Sequence, residues 1–259
     1  MKTKRLAIIL SVFSLLVVIV VLCSTVFTIS SVELKFYNTP VKLSALTDEK
    51  LAQAGKFNYS ESVFIASKKL YTKNIEESIP YIKVIQIETV FPNKLRVCVA
   101  EREEIFAISR SGGYVICDSE FKVLSTGVGS FVPRWDKPIL ITNLGTSALG
   151  DYVSGSFIAD GGFAGMDKLG ALEGAFYACG FETPDLLALI KSVHIAGKNL
   201  VLVTHDGVEI LLHDAGLRLS YKVSMAITVL EALTSAQRVT GQIVVFTDPD
   251  TNKLAGTYI

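Results

Sequence analysis

Apolar and polar positions divide this chain into two regimes. Leu6 to Ile29 reads LAIILSVFSLLVVIVVLCSTVFTI, with no charged residue and no polar face. At about 1.5 Å rise per residue, such a run reaches across a hydrocarbon core of about 30 Å. The pattern therefore predicts a transmembrane helix over residues 6–29. From Ser30 onward the apolar residues are interrupted and periodic, as they are in folded domains.

Residues 30–37 (SSVELKFY) predict a short strand. Thr47 before Asp48 and Glu49 predicts a helix start, with Leu46 stapled to Leu51 and Gly55 closing the helix. Lys68 to Ile79 places Tyr71, Ile75 and Ile79 on one helical face and Glu76 and Glu77 on another, and Pro80 stops it. Tyr81 to Phe91 is rich in β-branched residues, Pro92-Asn93 makes a turn, and Lys94 to Glu104 alternates. There Leu95, Val97 and Val99 share one face, with Arg96, Cys98 and Ala100 on the other. The order is strand, helix, helix, strand, strand.

Two short strands follow at Tyr114 to Asp118 and Lys122 to Leu124. Residues 126–165 are rich in glycine and read as loops around one strand at Lys137 to Thr142. Asp167 to Cys179 gathers Leu169, Leu172 and Phe176 on one helical face, capped by Gly180. Thr183-Pro184 opens another helix. Strands at Val193 to Ile195, Leu200 to Thr204 and Val208 to Leu212 come next, the last two joined by an Asp206-Gly207 hairpin turn. An amphipathic helix over Leu217 to Leu233 and a final strand, Ile243 to Phe246, complete the pattern.

Charge changes the picture at the N-terminus. Lys2, Lys4 and Arg5 precede the apolar run, and the first acid after it is Glu33. Cationic flanks stay in the cytoplasm, so the N-terminus is expected there, with the bulk of the chain outside. Leu22 is too bulky for lipoprotein cleavage before Cys23, and the run is longer than a signal peptide's apolar region of about 7–15 residues. Setting those three cations aside, the formally neutral chain is left three charges negative, without a Lys/Arg cluster. That excludes a nucleic-acid footprint. Cys98, Cys117 and Cys179 are odd in number and widely spaced. They read as small buried apolar residues, not as a disulfide framework or zinc ribbon.

No pattern of reactive residues points to catalysis. His205 and His213 lie at opposite ends of a strand, about 17 Å apart at roughly 3.3 Å per residue, and His194 alternates away from Val193 and Ile195. Gly145 to Gly150 has the glycine spacing of a phosphate loop, but Asp151-Tyr152 stands where Lys-Ser/Thr is needed. A sortase would need a Thr-Leu-x-Thr-Cys run, which is absent. The five residues before the apolar run are too few for a sensor's effector module.

Several segments carry a family resemblance: Val63-Phe64-Ile65, Ile79-Pro80-Tyr81-Ile82-Lys83-Val84, Phe91-Pro92-Asn93-Lys94-Leu95, and Val97 to Arg102 with Ala107. Together they resemble a POTRA domain of the FtsQ/DivIB cell-division family. The Asp206-Gly207 hairpin, the helix carrying Lys222 and the last strand are similar to that family's second half. The resemblance implies an α+β fold: an N-terminal single transmembrane helix, a β-α-α-β-β POTRA domain, then a β-rich domain with flanking helices. The boundaries expected are a cytoplasmic tail (1–5), the span (6–29), the POTRA domain (30–108), the β domain (109–248) and a C-terminal tail (249–259). It implies a non-enzymatic scaffold at the division septum, anchored in the membrane through residues 6–29. The implied partners are other single-pass division proteins of the FtsB/DivIC and FtsL type. No cofactor, metal or small-molecule substrate is implied. The family setting also suggests strand addition at Ile243, Val244, Val245 and Phe246, with Tyr258 as aromatic anchor. Lys94 to Glu101 is a second candidate edge, and Val245→Glu is expected to weaken binding more than folding.

Overall fold

The computed structural model describes residues 2–134, 136–143, 149–158, 166–248, 251 and 253–259, with side chains described outside 2–9, 22–25, 150, 166 and 167. The chain divides into two compact units, Met1–Arg102 and Glu103–Ile259.

Helix α1 runs Lys2–Thr25. The span expected over residues 6–29 does not form as such. Among the described residues, no helix is long and apolar enough to cross a membrane. The apolar run also continues past the helix into the folded unit. Ile29 is buried and its N–H donates to Glu61 O at 3.0 Å, while Thr28 bridges Ser62. Hydropathy registers a preference for apolar surroundings without saying which surroundings, so the run merged two elements. The expected fold class is corrected accordingly to a POTRA-like α/β region and a β-rich domain.

The first unit holds β1 (Ser31–Phe36), α2 (Asp48–Gly55), α3 (Lys68–Ser78), β2 (Ile82–Val90) and β3 (Lys94–Glu101). Its three-stranded sheet has the order β1-β3-β2, with β1 parallel and β2 antiparallel to β3. Thr47 caps α2, its side chain accepting from Lys50 N. Leu95, Val97 and Val99 of β3 are fully buried with Leu51, Tyr71, Ile75 and Ile82. The alternation of β3 and the helical faces of α2 and α3 thus converge on one core.

A charged pair closes this unit. Arg102 is 6% exposed. Its guanidinium meets Glu76 at 3.2 Å and its Nε donates to Ile82 O at 3.1 Å. Glu76 also accepts Val84 N–H at 2.8 Å. One carboxylate and one guanidinium therefore tie α3, β2 and the exit of β3 together.

The second unit holds β4 (Phe106–Arg110), β5 (Gly113–Cys117), β6 (Val123–Val128), β7 (Ile139–Thr142), α4 (Met166–Tyr177), α5 (Thr183–Leu189), β8 (Ile190–Ala196), β9 (Asn199–Thr204), β10 (Glu209–Leu212), α6 (Leu219–Ala232), β11 (Gln242–Thr247) and β12 (Leu254–Tyr258). They form one mixed sheet in the order β12-β11-β10-β9-β8-β7-β4-β5-β6. Helix α6 packs across β10, β11 and β12, α5 against β8, and α4 against α6. The core gathers the inward residues of every second strand position, among them Val193, Leu200, Leu202, Ile210, Leu212, Ile243 and Val245.

Breaking a buried ion pair by removing one partner is strongly destabilising. Arg102→Ala is expected to cost about 3 kcal/mol on that basis. The measurements are the denaturant midpoint and amide exchange at Val84. An unchanged midpoint would show that the pair is dispensable.

Candidate functional site

Sheet edges expose unpaired backbone donors and acceptors, and folded chains usually cover them. Three of the four edges here are partly covered by the chain itself. On β1, Leu34 N–H donates to the Asp48 carboxylate at 2.8 Å. On β2, Val84 N–H is held by Glu76. On β6, Val123 N–H donates to Ser156 O and Val123 O accepts from Gly155, both at 2.8 Å. Strand β3, expected to offer an edge, is the centre of its sheet because β1 pairs with it in parallel.

The fourth edge, β12, differs. Its antiparallel ladder with β11 pairs Ile243 with Tyr258, Val244 with Thr257, Val245 with Gly256 and Phe246 with Ala255. Gln242 and Ile259 exchange both hydrogen bonds at 2.9 Å, and Asp248 N–H donates to Lys253 O at 2.8 Å. Hydrogen-bonded pairs alternate along an antiparallel ladder. Residues 253, 255, 257 and 259 therefore turn their backbone groups toward β11, and Leu254, Gly256 and Tyr258 turn theirs outward. Among the described residues, no backbone partner meets those three.

This open edge is held rigidly from behind. The Tyr258 hydroxyl lies 2.7 Å from Thr240 O and 2.9 Å from Gln237 O. Its ring lies over Gly241, whose φ is +143°, and a Cβ at that position would collide with the ring and hydroxyl. Gly256 lets α6 approach: a Cβ there would stand 2.8 Å from Met225 Cγ and 3.2 Å from Val229 Cγ2. The two glycines thus permit the contacts that fix β12 in place.

The five residues singled out from sequence are brought to neighbouring strands but not to one surface. Ile243 and Val245 are fully buried on the core face. Tyr258 pairs with Ile243 on that same face and clamps the loop before β11. Val244 and Phe246 are half-buried on the opposite face, in register with Thr257 and Ala255. Strand β11 has no free edge, because β10 and β12 pair on its two sides. A charge at Val245 would enter the core and cost the fold, so a probe of the outward face belongs at Val244 or Phe246. Leu254 and Gly256, whose backbone faces outward, escaped sequence reasoning. Leu254-Ala-Gly-Thr-Tyr has neither a clear alternation nor a β-branched run, and its one signal was the terminal aromatic.

The reactive side chains are scattered. His194 Nδ1 is 3.0 Å from Thr142 Oγ1, and His205 Nε2 is 3.2 Å from Leu187 O. Among the described residues, no group of three His, Cys, Asp or Glu is arranged to hold a metal ion. Most of the Gly145 to Gly150 spacing lies outside the described residues. Cys98 and Cys117 are buried and Cys179 is half-buried. Burial pushes the Cys117 and Cys179 thiols above their usual range, which disfavours the nucleophilic thiolate.

Comparison with known proteins places these features in context. Residues 41–102 match the family model described as "POTRA domain, FtsQ-type". The chain is 31% identical over 127 residues to the cell division protein DivIB of Clostridium botulinum strain Hall, and equally to that of strain Loch Maree. Each match covers 48% of this chain and 44% of the relative, so the chain spans less than half the length of the curated relatives it matches.

Tyr258→Phe removes the hydroxyl and keeps the ring. A net hydrogen bond contributes about 1 kcal/mol, so β12 is expected to fray, with faster amide exchange at Thr257 and little change in β8 or β9. Unchanged exchange at Thr257 would mean that the ring alone holds the edge.

Proposed function

The chain belongs to the FtsQ/DivIB family, and from that premise we propose that it is a non-enzymatic scaffold of the bacterial division machinery. It works by receiving an extended partner segment on the open edge of β12. The observation that carries this reading is the edge itself, with Leu254, Gly256 and Tyr258 presenting backbone groups outward from a strand clamped by Tyr258 and α6. A strand presented in this way binds by main-chain hydrogen bonds and draws specificity from the side chains flanking it. The partners proposed are division proteins of the FtsB/DivIC and FtsL type, and the site of action is the division septum. Similarity to DivIB over 127 residues supports the cell-division role.

The mechanism needs no catalytic group. Pairing adds a tenth strand to the sheet, with the partner's N–H and C=O groups meeting those of Leu254, Gly256 and Tyr258 at alternate positions. On the outward face, Ala255 and Thr257 continue the apolar surface of Phe246 and Val244, where the side chains of an added strand would rest. Preorganisation of β12 lowers the ordering cost to that of the partner segment alone.

Proline scanning separates binding from folding. Leu254→Pro removes an outward N–H and is expected to weaken partner binding at least tenfold, about 1.4 kcal/mol, with a near wild-type melting temperature. Ala255→Pro removes an N–H directed at β11 and is expected to lower the melting temperature. Wild-type affinity in Leu254→Pro would end the edge-pairing mechanism. A fluorescent fusion is expected to gather at mid-cell in dividing bacteria, and a uniform distribution would count against the septal role.

A further inference from the structure

Just past α1, the chain is clamped between two loops of the first unit. Ile29 N–H donates to Glu61 O at 3.0 Å, Val63 N–H to Phe27 O at 2.8 Å and Ser30 N–H to Asn93 O at 2.8 Å. These bonds tie the segment after α1 to the loop before α3 and to the β2–β3 turn. Each loop turns apolar side chains away from the core. Phe64, Ile65 and Phe91 are 64%, 75% and 73% exposed, although Val63 beside them is fully buried. Phe27 joins the two tips, its ring 5.3 Å from that of Phe64 and 5.6 Å from that of Phe91. Three separate segments thus build one apolar surface. Single exposed apolar residues are ordinary, whereas a contiguous set marks a surface with an occupant.

The surroundings point to the occupant. Phe27 leads back to α1, whose side chains at 10–21 are exposed and, apart from Ser11 and Ser14, apolar. A helix that is apolar all round has its stable place in a protein core or in lipid, and the loop tips continue its surface. Lysines follow each tip: Lys68 and Lys69 after Ile65, and Lys94 after Phe91, all exposed. Lys68 and Lys69 also open α3, whose first turn contains no acid and whose N-cap, Ser67, makes no side-chain capping bond. Cations there oppose the helix dipole, and an anion beside them would answer both the lysines and the helix end. Glu61, the acid of this loop, accepts instead from the Tyr71 hydroxyl at 2.6 Å. Apolar tips followed within four residues by lysines fit a lipid interface, where rings sink to the acyl boundary and lysine stems reach back to the phosphates.

We propose that Phe64, Ile65 and Phe91 seat the first unit on an anionic lipid surface, with Lys68, Lys69 and Lys94 at the level of its phosphates. The seat needs no crossing of the bilayer. A domain attached at one point is free to tilt. Two loop tips bonded to the segment after α1 remove that freedom and fix which side of the unit faces away from the lipid. The seat concerns the first unit alone, and it holds or fails independently of the β12 edge.

The test uses the full chain reconstituted with vesicles of phosphatidylcholine, with and without phosphatidylglycerol. The single tryptophan, Trp135, is replaced by Phe, and one reporter is introduced at a time: Phe64→Trp, Phe91→Trp or, as control, Tyr37→Trp. Tyr37 is exposed just past the far end of β1, about 20 Å from Ser31 at roughly 3.3 Å per residue. Reporters at 64 and 91 are expected to shift to shorter wavelength on the anionic vesicles and to be quenched by brominated acyl chains, with the reporter at 37 unchanged. Replacing Lys68, Lys69 and Lys94 by Gln should reduce both effects to their level on neutral vesicles, and added salt should do the same. In the unaltered chain, amide exchange over residues 64–66 should slow on anionic vesicles, which checks the result without Trp135→Phe. Water-exposed emission at 64 and 91 with unchanged exchange, or equal quenching at 64, 91 and 37, would overturn the seat and leave the tips to a protein partner. Full quenching in the lysine variant would overturn the phosphate contact.

Discussion

Backbone N–H and C=O groups at the side of a sheet must find partners, and this constraint organises both units. In the first unit, carboxylates supply the answer. Asp48, the first residue of α2, takes the Leu34 N–H of β1, and Glu76 of α3 takes the Val84 N–H of β2. Glu101, at the end of β3, accepts from Val41, Lys42 and Leu43 at 2.8, 3.0 and 3.1 Å, folding the β1–α2 loop onto the sheet. Each acid sits at an element terminus, where one side chain reaches an edge without disturbing the ladder. Arg102 completes the scheme by balancing Glu76 inside the core. In the second unit, one edge is met by residues 155 and 156, and among the described residues no backbone group pairs with the outer side of the other. That contrast within one chain gives β12 its functional reading.

Local pattern carried much of this architecture. The alternation of Leu95, Val97 and Val99 named the buried face of β3 directly, because a half-buried strand has a period of two. Asp206-Gly207 placed the β9–β10 hairpin, whose register sets Leu202 opposite Ile210. The α2 start was legible in Thr47, Asp48 and Glu49. These signals share a cause: each is decided by residues within a few positions of one another.

What the sequence concealed was decided at long range. Nothing near Val32 announces that β1 will lie parallel to β3, so Lys94 to Glu101 read as an edge although it is a centre. Residues 243–246 read as the terminal strand because their β-branched run is strong. The weaker Leu254 to Tyr258 becomes a strand through tertiary contacts, namely the Tyr258 hydroxyl on Thr240 O and the fit of Gly256 against α6. The apolar run from Leu6 to Ile29 hid the opposite error. Its last residues satisfy their hydrophobicity within the first unit, where Phe27 contacts Phe64 and Phe91 at ring separations of 5.3 and 5.6 Å.

Under the proposed edge pairing, the dependence of β12 on α6 and β11 couples recognition to folding. Among the described residues, the elements that pack against β12 are β11 and α6, so a chain in which β10, α6 and β11 are unpacked has no edge to present. A partner that binds only the packed form shifts the folding equilibrium by mass action, raising apparent stability with the logarithm of its free concentration. Under the proposed edge pairing, the same linkage makes the edge a quality gate: copies without an assembled β10-α6-β11 crossover present no strand to a partner.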